Sequence, residues 1–294
     1  MKENPVSGEG LIRPDVAIYN SLLNTWAKSG LRYAAQRAEE IFAEMKQNYA
    51  ETGDVLAQPN SRTYTTLIDV LAKSGEKNAS RRSLEVLEEM EKLSERGEIS
   101  AKPNVYTYTA VITCIARSRD KEKAVKAVSV LQRMEEEYRR GNKDAQPNVV
   151  AYNSVLNACA YTPGGGEQIE TAFKIACLVF DEVRTSCHVQ PTHVSTFLPM
   201  PFQLHIHNFS SAHTNFKPIM QVSYGTFLCV CANLMPESEV RDNLVEATFK
   251  RCARDGLVSK MVWRHLSTAA SPLLLGQLLE QANSGLKAHW SRNV

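Results

Sequence analysis

Apolar residues along this chain fall into blocks with helical spacing, separated by polar and charged stretches. The first block of each pair runs through PDVAIYNSLLNTWAKSG, PNSRTYTTLIDVLAKSG, PNVYTYTAVITCIARSR and PNVVAYNSVLNACAYT. The second places Ala38, Ile41, Phe42 and Met45 in one copy and Leu84, Leu87 and Met90 in the next. Ala127, Leu131 and Met134 follow, then Ala172, Ala176, Val179 and Phe180. Steps of three and four give each block an apolar stripe along one side of a helix. The blocks also recur. Pro14, Pro59, Pro103, Pro147 and Pro191 are spaced 45, 44, 44 and 44 residues, and Tyr19, Tyr64, Tyr108 and Tyr152 keep step with them.

Each unit is therefore predicted to be two helices, A and B. Proline suits the entrance of helix A, where its fixed φ is helical and its missing N–H is no loss. Gly30 and Gly75 suit its exit, where positive φ is needed. A lone helix pair cannot cover its own apolar faces, so neighbouring units must stack. The expected fold class is all-α: an α-solenoid of stacked helix-turn-helix repeats with a 44–45 residue period.

The run Pro-Asn or Pro-Asp, then apolar residues, Tyr-Asn or Tyr-Thr, and a Leu/Ile pair resembles the pentatricopeptide repeat family. The resemblance covers four units, 16–60, 61–104, 105–148 and 149–192. These units are longer than that family's usual repeat. The excess lies in the helix B tails (KQNYAETGDVLAQ, EKLSERGEISAK, EEEYRRGNKDAQ) and, in the fourth unit, in the A–B turn TPGGGEQIE. Residues 1–15 match the tail of a preceding, truncated repeat, as in a fragment of a longer array. Residues 193–257 read as a fifth repeat, and 258–294 as a degenerate sixth helix pair with a C-terminal tail.

The fifth unit breaks the period, since Tyr224 lies 72 residues after Tyr152. Between them, Thr196–Ser223 is 28 residues long, has one Lys and no acid, and holds three Pro and four Phe. Removing it restores a spacing of 44 and joins PTHVS to YGTFLCVCANL, and both ends read Val-Ser, Val194-Ser195 just before it and Val222-Ser223 at its close. A retained in-frame intron is the expectation, with a surface loop as the alternative.

Composition narrows the functional classes. With 43% hydrophobic and 22% charged residues, the 294-residue chain can bury a core. A net charge of +2 neither marks nor excludes a nucleic-acid binder. Seven cysteines with no C-x-x-C pair, several at apolar-periodic positions, read as small buried hydrophobes. Gly164–Gly166 lacks the Lys-Ser/Thr of a phosphate loop. His205, His207 and His213 lie in the suspected insert, and Cys229 and Cys231 are two apart on a helix, so neither set is read as a metal site. No catalytic constellation, cofactor site or membrane span emerges, and the chain is read as a monomeric non-enzyme.

The resemblance implies that helix A lines the concave face and that each repeat reads one RNA base. It assigns the reading to the residue after the tyrosine and the last residue before the next unit. These pairs are Asn20 with Asn60, Thr65 with Asn104, Thr109 with Asn148, and Asn153 with Thr192. Hydroxyls and carboxamides can meet the Watson–Crick edge of a base, while Asn60, Asn104 and Asn148 are equally good helix caps. By the same resemblance, Thr with Asn favours adenine and Asn with Asn a pyrimidine. The column Ala17, Arg62, Tyr106 and Val150 would pack against bases. Helix A segments carry Lys28, Arg62, Lys73, Arg117 and Arg119 against Asp69, and Lys28, Lys73 and Arg117 share one repeat column suited to phosphates. The implied function is sequence-selective single-stranded RNA binding in mitochondrial or plastid RNA processing, stability, editing or translation, alongside other RNA-processing proteins. The alternative is a protein–protein interaction scaffold.

Overall fold

The computed structural model describes residues 14–31, 33–185, 217–281 and 290–291. Among these, twelve α-helices follow one another with no strand. They are α1 (Val16–Ser29), α2 (Ala34–Thr52), α3 (Ser61–Ser74), α4 (Ala79–Glu95), α5 (Val105–Arg117) and α6 (Lys123–Arg139). Then come α7 (Val149–Ala160), α8 (Gly166–Thr185), α9 (Lys217–Leu234), α10 (Glu239–Arg254), α11 (Lys260–Ala269) and α12 (Pro272–Gln281). The odd-numbered helices up to α11 are the A helices, each packed on the next, while packing between successive B helices is sparser. The more closely spaced A layer is thus the inner, concave side of an α-solenoid.

The tyrosine column shows what holds the layer together. Tyr19, Tyr64, Tyr108, Tyr152 and Tyr224 are all at most 5% exposed. A buried phenol needs a hydrogen-bond partner, and each of the last four donates to a carboxylate. Tyr64 reaches Glu89 at 3.1 Å, Tyr108 reaches Glu91 at 3.1 Å, Tyr224 reaches Asp255 at 2.6 Å, and Tyr152 reaches Glu135 and Glu182 at 3.4 and 3.2 Å.

The long period has a structural use. Each B helix of the first three units ends at a glycine of positive φ (Gly53, Gly97, Gly141), followed by a single 3₁₀ turn at Val55–Ala57, Ile99–Ala101 or Lys143–Ala145. The alanine closing each turn (Ala57, Ala101, Ala145) is at most 1% exposed. These stretches look like charged tails in the sequence, yet the buried alanines dock them on the stack. In the third unit Arg119 stands where Gly30 and Gly75 close α1 and α3. There Lys123, 4% exposed, donates from Nζ to the carbonyls of Ala116 and Ser118 at 3.0 and 3.1 Å. A cation thus satisfies the orphan carbonyls of α5 in place of a glycine turn, and burial holds its ammonium below the usual lysine range.

Among the described residues, the cysteines are buried except Cys177, which is half-buried. Residues 1–13, Cys187, Thr192 and 196–216, including His205, His207 and His213, lie outside the described residues. The remainder of the suspected insert, residues 217–223, forms the opening of α9, and Ser223 is fully buried there. No helix among the described residues is long and apolar enough to cross a membrane.

Successive B helices are keyed by ion pairs between equivalent positions. The residue after the column methionine faces the residue before it in the next unit: Lys46 pairs with Glu89 at 3.1 Å, and Glu91 with Arg133. At the third junction the same register sets Glu135 against Glu182, a like charge, both carboxylates accepting from Tyr152. Glu135 is 7% exposed, and burial together with the neighbouring Glu182 carboxylate lifts its pKa to about 7, against the hydrogen bond from Tyr152 and the charge of Arg139. A carboxyl whose pKa is higher folded than unfolded is stabilising in acid. That stability is complete below its unfolded value near 4.5 and is lost as pH rises toward about 7. Glu135→Gln is accordingly expected to stabilise the fold at pH 8, by on the order of 2 kcal/mol, and to change little at pH 4.5. Thermal or urea midpoints of parent and variant at the two pH values check this, and an equal effect at both would contradict it.

Candidate nucleic-acid interface

The residue after each buried tyrosine is rotated by about 100° around helix A, away from the tyrosine's carboxylate partner. In this column Asn20 is buried, and Thr65, Thr109 and Asn153 are half-buried. Three of the four hold a buried polar atom with no hydrogen-bond partner: Asn20 Oδ1, Thr109 Oγ1 and Asn153 Oδ1. Buried polar atoms are nearly always paired, so three orphans in one repeat column are an unusual concentration. Thr65 differs, because its Oγ1 donates to the Ser61 carbonyl at 2.7 Å and lies 2.9 Å from Thr107 Oγ1.

Asn60, Asn104 and Asn148 are the N-caps of α3, α5 and α7, each accepting from a first-turn N–H through Oδ1. Capping is therefore real at all three. It occupies Oδ1 and leaves the amide NH₂, which at Asn104 donates across the junction to Ser61 Oγ at 3.0 Å. Thr107 Oγ1 lies 3.3 Å from Asn104 Oδ1, so it touches both members of the second unit's pair, Thr65 and Asn104. No comparable hydrogen-bonded bridge joins Asn20 to Asn60 or Thr109 to Asn148 among the described residues. The reason is visible for the latter pair: Ala151 occupies the position of Thr107. Of the fourth pair only Asn153 is placed, Thr192 lying outside the described residues. At the fifth unit the column ends, since a Cβ on Gly225 would meet Met261 Cε at 2.9 Å, where α11 packs on α9.

Two residues before the tyrosine, Ala17, Arg62, Tyr106 and Val150 are all exposed, Tyr106 to 73%. An apolar ring left in solvent beside polar, half-buried groups is placed to stack on a planar ligand. In the basic column Lys28 is exposed, Lys73 pairs with Asp69 at 2.5 Å, and Arg117 donates to the Ala72 carbonyl at 3.3 Å. Both Lys73 and Asp69 are 44% exposed; such a pair is worth about 0–1 kcal/mol and can yield to a phosphate. The column continues through exposed Tyr161 to Asn233, which donates to the Ala160 carbonyl at 3.0 Å as Arg117 does to Ala72. Neither residue was picked out by sequence reasoning, although the repeat register carries both. Thr107 was missed as well; the Thr-Tyr pair in the second and third units was its only signal.

Stacked helix pairs carrying one polar, partly unpartnered column on the A-helix layer define a helical-repeat protein of the solenoid class. Residues 9–51 and 95–162 match the family model of the pentatricopeptide repeat domain. No curated protein and no solved structure matches the chain.

The differing environments of the two threonines give a direct check on the geometry. Thr65→Val removes two hydrogen bonds and is expected to lower stability by about 1 kcal/mol. Thr109→Val replaces a hydroxyl that bonds to nothing and should stay within about 0.5 kcal/mol of the parent. Urea denaturation of the two variants measures both, and equal losses would contradict the assigned hydrogen bonds.

Proposed function

We propose that this chain binds single-stranded RNA along its A-helix layer, with each unit junction facing one base. The pentatricopeptide repeat family is generally associated with RNA binding and is generally non-enzymatic. The observation that carries the reading here is the column Asn20, Thr65, Thr109 and Asn153, where buried polar atoms of all but Thr65 lack partners beside exposed Arg62 and Tyr106. A base edge would supply the missing partners, and its face would stack on the exposed side chains. Asn60, Asn104 and Asn148 contribute through their amide NH₂ groups, Thr192 completes the fourth pair, and Lys28, Lys73 and Arg117 contact phosphates. Val150 packs against the base at the fourth unit. The preferred ligand reads pyrimidine, adenine, adenine, pyrimidine along the first four units.

The setting we propose is mitochondrial or plastid RNA processing, stability, editing or translation, as befits a typically organellar family, with the chain acting as a monomer. Stacking contributes about 1–3 kcal/mol per base against the cost of association, so four units should give a Kd in the micromolar range. A scaffold reading draws on Val55, Leu56 and Ile99, apolar side chains 70–84% exposed on the 3₁₀ turns.

Fluorescence anisotropy with short RNAs containing C-A-A-C or C-G-G-C separates the two. The RNA reading expects tighter binding to C-A-A-C and roughly tenfold or greater loss of affinity when salt rises from 50 to 200 mM, as several phosphate contacts imply. It also expects Thr65→Asn to shift the preference at one base only. Binding to neither RNA by the folded protein would sink it and favour the scaffold.

A further inference from the structure

The second and third units carry the same reading pair, Thr65 with Asn104 and Thr109 with Asn148, yet their threonines are wired differently. Thr65 Oγ1 lies 2.7 Å from the Ser61 carbonyl, which can only accept, so the single hydroxyl proton of Thr65 points there. Thr107 Oγ1 then has two acceptors in reach, Thr65 Oγ1 at 2.9 Å and Asn104 Oδ1 at 3.3 Å. The latter already accepts from two N–H groups, so the single Thr107 proton goes to the nearer Thr65, which accepts. The backbone N–H of Asn104 in turn donates to Thr107 Oγ1 at 3.4 Å. A one-way chain results: Asn104 N–H to Thr107, Thr107 to Thr65, Thr65 to Ser61. It leaves Thr65 one lone pair and no proton, a pure acceptor. Asn104 is fixed in the opposite sense. Its Oδ1 accepts from the N–H groups of Tyr106 and Thr107 at 3.0 and 3.1 Å, and Nδ2 gives one hydrogen to Ser61 Oγ, leaving one donor.

In the third unit Ala151 stands in place of Thr107, and both are fully buried. No chain forms there. Thr109 Oγ1 has no partner, and its hydroxyl can rotate to donate or accept.

We propose that Thr107 is a specificity-determining positioning residue. By fixing Thr65 as an acceptor, it makes the second unit discriminate between adenine and guanine more sharply than the third, despite identical reading pairs. This rests on the RNA-binding reading above. A rotatable hydroxyl tolerates either purine, whereas a locked acceptor beside a locked donor meets the wrong edge with a lost hydrogen bond. Thr107 touches no base in this account; it acts through Thr65.

The test is anisotropy of the full chain with RNAs containing C-A-A-C, C-G-A-C and C-A-G-C, the base read by the second unit being the one whose preference moves with Thr65→Asn. The parent should show a purine preference at the second unit about two- to tenfold greater than at the third. Thr107→Ala should reduce the second unit's preference to the third unit's level, and Thr107→Ser should restore it. Ala151→Thr should raise the third unit's preference. A merely structural role would weaken all three RNAs together and leave the ratios fixed. Equal ratios at the two units in the parent, or an unchanged ratio in Thr107→Ala with RNA binding retained, would overturn the proposal alone. Should Thr107→Ala not fold, Ala151→Thr decides, and no gain at the third unit overturns it. Absence of binding to all three RNAs removes the RNA reading itself, and this proposal with it.

Discussion

Burial of one A helix against the next is the interaction on which the rest of this molecule depends. The tyrosine column sits at that contact, each ring out of solvent and four of the five hydroxyls tied to a helix B or helix-end carboxylate. Ring and hydroxyl do different jobs. The ring supplies apolar area that one unit cannot cover alone, and the hydroxyl fixes how the partner helix is turned about its axis. Once that rotation is set, the next residue on each A helix is held at the inner surface. The array of polar groups there is a by-product of core packing, delivered at every unit without any contribution from loops.

That economy explains why short polar residues stay half-buried at this surface. Asn20, Thr109 and Asn153 hold polar atoms that find no partner within the chain, a cost that a purely structural helix would remove with alanine or serine turned outward. Four other buried polar atoms lack partners among the described residues (Asn142 Oδ1, Arg184 Nε, Gln221 Oε1 and Arg241 Nε), none of them in a shared repeat column, whereas the ends of the A helices are well satisfied. Lys123 satisfies two carbonyls at the end of α5, and Asn104 is hydrogen-bonded at both ends of its amide and at its backbone N–H and carbonyl. The contrast between tidy helix ends and an untidy inner column separates the structural part of each repeat from the part that the proposed function assigns to RNA.

Most of the fold was legible in the residues, because periodicity and burial share one cause. Prolines and tyrosines at 44–45 residue steps, with apolar stripes between them, leave stacked helix pairs as the way to remove every stripe from water. The buried alanines of the 3₁₀ turns were not legible: a single methyl among charged residues carries little hydrophobic signal. Site columns could be located by counting from each tyrosine, but their wiring could not. Whether an asparagine caps a helix or faces a ligand depends on where its two amide ends point, and at Asn104 both ends are in use. Thr107 shows the limit most clearly. A threonine before a tyrosine reads as an ordinary capping-box residue, and only the hydroxyl-to-hydroxyl distance reveals that it reaches the preceding unit.

The ion-pair ladder between B helices bears on how such an array can grow. Its polarity reverses along the chain, with Lys46 against Glu89 and then Glu91 against Arg133, so the units are not interchangeable bricks. A tandem copy of the second unit would set Glu91 against Glu89, and deleting the second unit would bring Lys46 to Arg133; both place like charges in register. A tandem copy of the third unit would instead set Glu135 against Arg133, giving an uncovered carboxyl the cation it lacks. Lengthening by duplication is therefore electrostatically open at one unit and closed at its neighbour, a bias in the evolutionary paths available to the chain that resides in helix surfaces remote from any ligand.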